Sequence, residues 1–188
     1  MAEVINAQLA NGLSCELPAN SPLAKLLKSQ RTWVGPDAKE RQRILNNAKS
    51  VAIVGASPNP ARSSYFVGTY LQSSSDLRVY FVNPNADEIL GEKVYPDLAS
   101  LPEVPDIVDV FRKGSDIPSV IDDVVAIGAK TIWVQLGIYN EEAARYGEEK
   151  GLTVVMDRCI KVEHARFHGG LHLLGFDTGV ISAKKLHR

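Results

Sequence analysis

Short apolar runs recur through the middle of the chain, separated by mixed segments long enough to be helices. The runs are VAIV at 51–54, RVYFV at 78–82, DIVDVF at 106–111, TIWVQ at 131–135 and LTVVM at 152–156. All are short and rich in β-branched or aromatic residues, the pattern of strands covered on both faces. Residues 63–72, 115–127 and 140–150 have helix length. The last of these opens on a capping residue, Asn140, carries Glu141 and Glu142 in its first turn and stops at Gly151. Ser115 caps the one before it, which ends at Gly128. This alternation predicts right-handed crossovers and an α/β, Rossmann-like, doubly wound fold, with a mostly parallel sheet and helices on both faces. GEKVYPDL, at 91–98, adds a short strand and a turn of helix.

Outside that core the pattern loosens. Residues 1–35 read as an N-terminal arm, the first twenty without period and without regular structure. Ser21 and Pro22 then start a short helix whose apolar face is Leu23, Leu26 and Leu27. The main domain is expected over 36–166. It opens with a charged helix from Gly35-Pro36 to about Asn47, whose thin apolar content, Ile44 and Leu45, puts it on the surface. The charge run KERQR, at 39–43, is read as a solvated face of that helix. Residues 167–188 form a tail with no assignable element.

Composition narrows the function classes. A formal net charge of −1 over 188 residues gives no basic excess for bulk nucleic-acid binding. Two cysteines, Cys15 and Cys159, do not make a disulfide framework and fit a reducing compartment. No apolar run approaches a membrane span of about 20 residues, and the first residues lack the layout of a secretory signal. A soluble, cytoplasmic protein is the expectation.

The loop after the first strand, GASPNPARSS at 55–64, is the first suspect for chemistry. In a doubly wound sheet ligands sit beyond the carboxyl ends of the strands. Gly55 permits the tight turn, Ser63 and Ser64 open a helix whose free amides favour an anion, and Arg62 adds a permanent cation. Those parts make a phosphate cradle. A dinucleotide site needs two further glycines and an acid ending the second strand. Here the second strand ends in FVNPN, with Asn83 and Pro84 in the acid's place, and Pro58 and Pro60 hold the loop extended.

Taken together, VAIVGASPNPARSSY (51–65), VNPN (82–85), GEKVYPDLASLPEVPDIVDVFR (91–112), GAKTIWVQLGI (128–138) and GLTVVMDRCIKVEH (151–164) resemble the small bacterial CoA-binding proteins. These are relatives of the CoA-binding domain in the α subunit of succinyl-CoA synthetase. The resemblance covers roughly residues 40–166 and implies coenzyme A, or acyl-CoA, as ligand. By position it implies that Gly55, Ala56 and Ser57 approach the CoA diphosphate, and that Pro60, Arg62, Ser63 and Ser64 complete that loop. Asn83 would lie near the adenosine end, and Phe111 and Arg112 would cover the ligand from the side. Gln135, Gly137, Met156, Asp157 and Arg158 would follow along later strand ends, with Gln135 presenting a polar end to the pantetheine arm.

The resemblance implies binding more clearly than a reaction. The synthetase domain that bears the phosphorylated histidine has no counterpart in the segment after the fold, so a non-catalytic role is expected. The alternatives are an NAD(P)-dependent or acyl-CoA-transforming enzyme, with Asp157, Cys159 and His164 as its candidate groups, and an interaction module that docks a partner or a second copy. His164 is read as part of a helix with a Glu163–Arg166 pair. The spacing of His164, His168 and His172 is interrupted by Gly169 and Gly170, so no metal site is expected. Cys159 is read first as a buried, inert thiol, with a side reading in which Arg158 and a helix start lower its pKa and allow a mixed disulfide with the CoA thiol.

Overall fold

In a computed structural model of the chain, the residues described are 31–168 and the backbone of 4–8 and 14–18. The chain divides into two units, Met1–Val34 and Gly35–Arg188. In the first, β1 (Val4–Gln8) pairs antiparallel with β2 (Ser14–Pro18), Val4 opposite Pro18 and Gln8 opposite Ser14. Regular pairing therefore stands where the sequence predicts none. Backbone N–H and C=O groups need partners whatever side chains they carry, so a ladder can form in a segment too short to show a period. The short helix expected from Ser21 lies outside the described residues, as do His172 and the tail beyond His168.

The second unit holds a seven-stranded sheet. Its strands are β3 (Ser50–Val54), β4 (Arg78–Val82), β5 (Glu88–Ile89), β6 (Glu92–Tyr95), β7 (Ile107–Val110), β8 (Thr131–Val134) and β9 (Thr153–Val155). They lie in the order β5-β6-β4-β3-β7-β8-β9, and every pair is parallel except β5–β6. The chain runs outward from β3 to one edge, returns, and runs outward from β7 to the other. Strand order thus reverses between β3 and β7, where a doubly wound sheet opens a crevice. β3, β7 and β8 are buried along their whole length, which is why their sequences are runs and not alternations. Trp133 is fully buried.

The antiparallel edge was not legible from the sequence. β5 and β6 are joined by Leu90 and Gly91, at φ 54° and 79°, a two-residue hairpin turn of the kind that takes two left-handed residues. Leucine seldom occupies such a position, so the usual Asn-Gly or Asp-Gly signal is missing.

Five helices pack against the sheet among the described residues: α1 (Ala38–Asn47), α2 (Ser63–Ser74), α3 (Ile117–Ala126), α4 (Glu141–Glu149) and α5 (Ile160–His168). Asn140 caps α4 as predicted, accepting from the Ala143 amide at 3.0 Å. Ser115 does not cap α3. Residues Gly114–Asp116 form a 3-10 turn instead, and α3 starts at Ile117 with Pro118 in its first turn, where a missing N–H costs nothing.

The charged helix α1 is less peripheral than its composition suggests. Leu45 and Arg41 are buried, and Arg41 Nε donates to Glu163 Oε2 of α5 at 2.9 Å while its Nη1 donates to the Pro36 carbonyl. The run KERQR is therefore not uniformly solvated, and Glu163 pairs across helices with Arg41 instead of along its own helix with Arg166. A three-residue spacing permits a pair on one helix, but burial favours the partner that α1 brings to the same dry seam.

Candidate functional site at the carboxyl edge

The β3–α2 loop is tied at both ends. Gly55, at φ 78°, donates to the Val82 carbonyl of β4 at 3.0 Å. A Cβ at Gly55 would stand 3.0 Å from the Phe111 carbonyl oxygen and 3.3 Å from Arg112 Cδ. Only glycine allows this turn to lie against the end of β7, so Gly55 joins the two strands on either side of the reversal. Beyond it the loop bonds to itself. Ser57 Oγ accepts from the Asn59 amide at 3.2 Å, Asn59 Oδ1 accepts from the Ala61 amide at 2.9 Å, and the Asn59 carbonyl accepts from the Arg62 amide at 3.0 Å. Pro58, Pro60, Arg62 and Ser63 are exposed, and Ser64 is buried. No side chain caps α2, so its first amides, beside Arg62, have no side-chain partner.

Gly68, one turn further on, performs the packing task that the last glycine of a dinucleotide loop performs. A Cβ there would lie 2.7 Å from the Phe81 ring, so its absence lets α2 settle on β4. Asn83, in the place of the ribose acid, spends its side chain on the protein. Its Nδ2 donates to the Ala56 carbonyl at 2.6 Å and its Oδ1 accepts from the Asn85 amide at 2.9 Å, linking the loops after β3 and β4.

The other predicted residues follow the sheet. Phe111 donates to Val54 and Gln135 to Val110, each extending the ladder one residue past its strand, and Arg158, three residues past β9, donates to Val134. Phe111 is half-buried and Arg112 exposed. Gly137, at φ 84°, donates to Asp157 Oδ1 at 2.7 Å, and Asp157 itself sits at φ 56°, so the loops after β8 and β9 meet in a constrained pair. Met156 is buried, its sulfur accepting from the Asn140 amide at 3.2 Å.

Gln135 departs most from the expectation. It is 3% exposed, and its Nε2 donates to both oxygens of Asp109, at 2.8 and 3.0 Å. Asp109 is wholly buried on β7, and burial pushes its carboxyl up to about 8 against the opposing pull of Gln135. Sequence reasoning passed over Asp109, although a charged residue inside the apolar run IVDV is a legible signal. Cys159 does not have the lowered pKa on which the mixed-disulfide reading depends. Burial pushes its pKa up, and the nearby Asp109 adds to that, outweighing the local amides and Lys161. His164 is buried with Nδ1 3.1 Å from the Tyr70 hydroxyl, its ring stacked on His168 at 4.1 Å, and burial with His168 lowers its pKa to about 4.

A hollow of about 250 Å3 between α3 and α4 lies off this row, lined by Pro118, Asp122, Asn140, Glu142, Ala143 and Tyr146. Its charged residues, Asp122 and Glu142, are acidic, which disfavours an anion there. Among the described residues no cluster of ligating side chains could hold a metal ion, and no helix is long and apolar enough to cross a membrane.

A parallel sheet reversing at β3 and β7, with the uncapped start of α2 beside the reversal, defines a Rossmann-like α/β architecture. Residues 49–165 match the CoA binding domain family, and the chain belongs to that family. It is 40% identical over 130 residues to the uncharacterized protein YneT of Bacillus subtilis, covering 69% of this chain and 96% of that one. A solved structure of a hypothetical protein from Pyrococcus horikoshii superposes with a TM-score of 0.66 at 38% identity, over 72% of this chain and 94% of the other. Acetate–CoA ligase (ADP-forming) II of Archaeoglobus fulgidus is 29% identical over 144 residues, 76% of this chain but 20% of the ligase.

Proposed function

We propose that the chain binds coenzyme A or an acyl-CoA along the carboxyl edge of its sheet, with the β3–α2 loop on the diphosphate, and that it holds the ligand without transforming it. The observation that supports this reading is Gly55 lying against the Phe111 carbonyl and Arg112 at the strand reversal, at the head of the loop that carries Arg62 and leads into the uncapped α2. Two guanidinium groups and open amides suit a ligand with a diphosphate and a further phosphate. Nicotinamide dinucleotides fit less well, because Asn83 supplies no acid and its amide is engaged by Ala56.

The groups further along the edge support holding over reacting. Asp109 is wholly buried and spent on Gln135, the Cys159 thiol is made harder to ionise, and His164 is kept uncharged. Neither Cys159 nor His164 is activated as nucleophile or charged acid at neutral pH. The protein would then serve as a carrier, sensor or partner subunit in the cytoplasm, its main domain spanning 36–166.

Calorimetry at pH 7 with CoA, dephospho-CoA and NAD tests the reading. CoA is expected to bind saturably, dephospho-CoA more weakly, and Arg62→Ala and Arg112→Ala each to weaken CoA about tenfold, the size of one charge-assisted contact. NAD binding tighter than CoA would overturn it.

A further inference from the structure

The buried pair of Asp109 and Gln135 has one polar atom unaccounted for. Both carboxyl oxygens of Asp109 and the amide nitrogen of Gln135 are spent on each other. No protein group bonds Gln135 Oε1, and among the described residues no buried side-chain N or O atom lacks a partner. Oε1 therefore reaches the surface, although Gln135 as a whole is 97% buried by its 3% exposure. Gln135 stands one residue past β8, at the carboxyl edge of the sheet.

The atom shown to the edge depends on the proton on Asp109. With a carboxylate, Nε2 turns inward to donate and Oε1 faces out, as in the structure. A protonated Asp109 has an O–H that must itself find an acceptor, since a wholly buried donor left unpaired costs as much as a lost hydrogen bond. Half a turn of the amide supplies one: Oε1 accepts inside and the NH2 faces out, with almost no change of shape. We propose that Asp109 is a positioning residue which, through Gln135, sets whether the edge offers a donor or an acceptor, and that in its protonated form it directs the Gln135 NH2 to a carbonyl oxygen of a pantetheine-type amide or thioester.

Burial raises the Asp109 carboxyl to about 8, so the donor form holds at neutral pH. The groups facing Asp109 leave that equilibrium to the pair itself. Its neighbours in register on β3 and β8 are Ile53 and Trp133, neither of which titrates. From the start of α5 the titratable neighbour is Cys159, with Lys161 beyond it. No cation offsets the Asp109 charge. The inference rests on CoA-type ligands binding at this edge.

Acetyl-CoA is the probe, because it has no free thiol to titrate. Its dissociation constant is measured by calorimetry at pH 7 and pH 9.5 for the native chain and for D109N, Q135L and C159S. The native chain is expected to bind roughly five- to tenfold more weakly at pH 9.5, the size of one hydrogen bond turned to a clash of acceptors. In D109N the side-chain NH2 donates permanently to Gln135, so the ratio between the two pH values falls to about one. Q135L also gives a ratio near one, and C159S keeps the native ratio. A native ratio of one, or a full ratio in D109N, overturns the inference while leaving the ligand assignment standing. Absence of saturable acetyl-CoA and CoA binding at pH 7 overturns the ligand assignment itself.

Discussion

The seam between α1 and α5 and the ends of β7 and β8 each bury a carboxylate, yet only the seam supplies a cation. Glu163 meets Arg41 at 2.9 Å, and Arg41 is further held by the Pro36 carbonyl. Asp109 meets an amide and nothing charged. A buried ion pair fixes two elements in one arrangement and has a large penalty when half of it is lost. A buried acid paired only with an amide can shed its charge by taking up a proton, which keeps it responsive to its surroundings. The first arrangement belongs to packing, and the second stands at the edge where ligands approach.

The difference can be broken most violently at the seam. Arg41→Met leaves Glu163 buried and unpaired, and is expected to cost roughly 3–5 kcal/mol in urea unfolding at pH 7. The double change Arg41→Met with Glu163→Met should recover most of that loss, because it removes the charge that needed a partner. If the single variant unfolds at the native midpoint, the seam is not the packing device described.

Asp109→Asn should act in the opposite direction. Its folded pKa, about 8, lies above the ordinary carboxyl value of 3.8, so the folded chain holds a proton that the unfolded chain has released. The stability this group contributes is fully present below the unfolded pKa and is lost as pH rises toward about 8. Asparagine does not titrate. Unfolding midpoints measured from pH 4 to pH 9 should therefore fall less steeply in the variant. At pH 9 it should exceed the native chain by on the order of a few kcal/mol. Parallel curves for the two proteins would show that Asp109 ionises in the fold as freely as it does outside it.

How far the sequence revealed this contrast depends on what each signal encodes. The strands of the parallel sheet were readable because burial on both faces leaves runs such as VAIV and TIWV, and α4 because Asn140 is a cap with a mechanism. Gly55 was readable because a strand turning into a helix needs it. The Arg41–Glu163 pair was not, since its residues lie 122 positions apart and their joint burial is a tertiary fact. The inward turn of Gln135 was hidden for the same reason: its partner sits on the neighbouring strand, and a glutamine at a strand end looks like a ligand contact. The hairpin at Leu90 and Gly91 escaped because its turn chemistry breaks the usual preference. Local chemistry was legible, and cross-element pairing was not.

The β3 loop contrasts with both carboxylates, since geometry holds it in place of charge. Gly55→Ala forces a Cβ to within 3.0 Å of the Phe111 oxygen at a backbone angle that alanine resists. A loss of roughly 1–3 kcal/mol in stability is expected, together with loss of measurable CoA binding. Both should be independent of pH between 6 and 9, because no titrating group is touched. A pH-dependent loss would mean that the loop is coupled to Asp109 across the strand reversal.

Asn83→Ala is the mildest break and the one that separates positioning from contact. It removes the 2.6 Å bond to the Ala56 carbonyl and the acceptor for Asn85, and should cost about 1 kcal/mol of stability in urea unfolding. If Asn83 only ties the loops, CoA and dephospho-CoA should weaken by the same few-fold factor, since the loop loses order before either ligand arrives. If Asn83 also touches the adenosine end, the two ligands should respond unequally, because they differ only there. The ratio of the two affinities, measured by calorimetry on native and variant protein, decides between a neutral tie that mirrors the seam and a side chain that the ligand itself recruits.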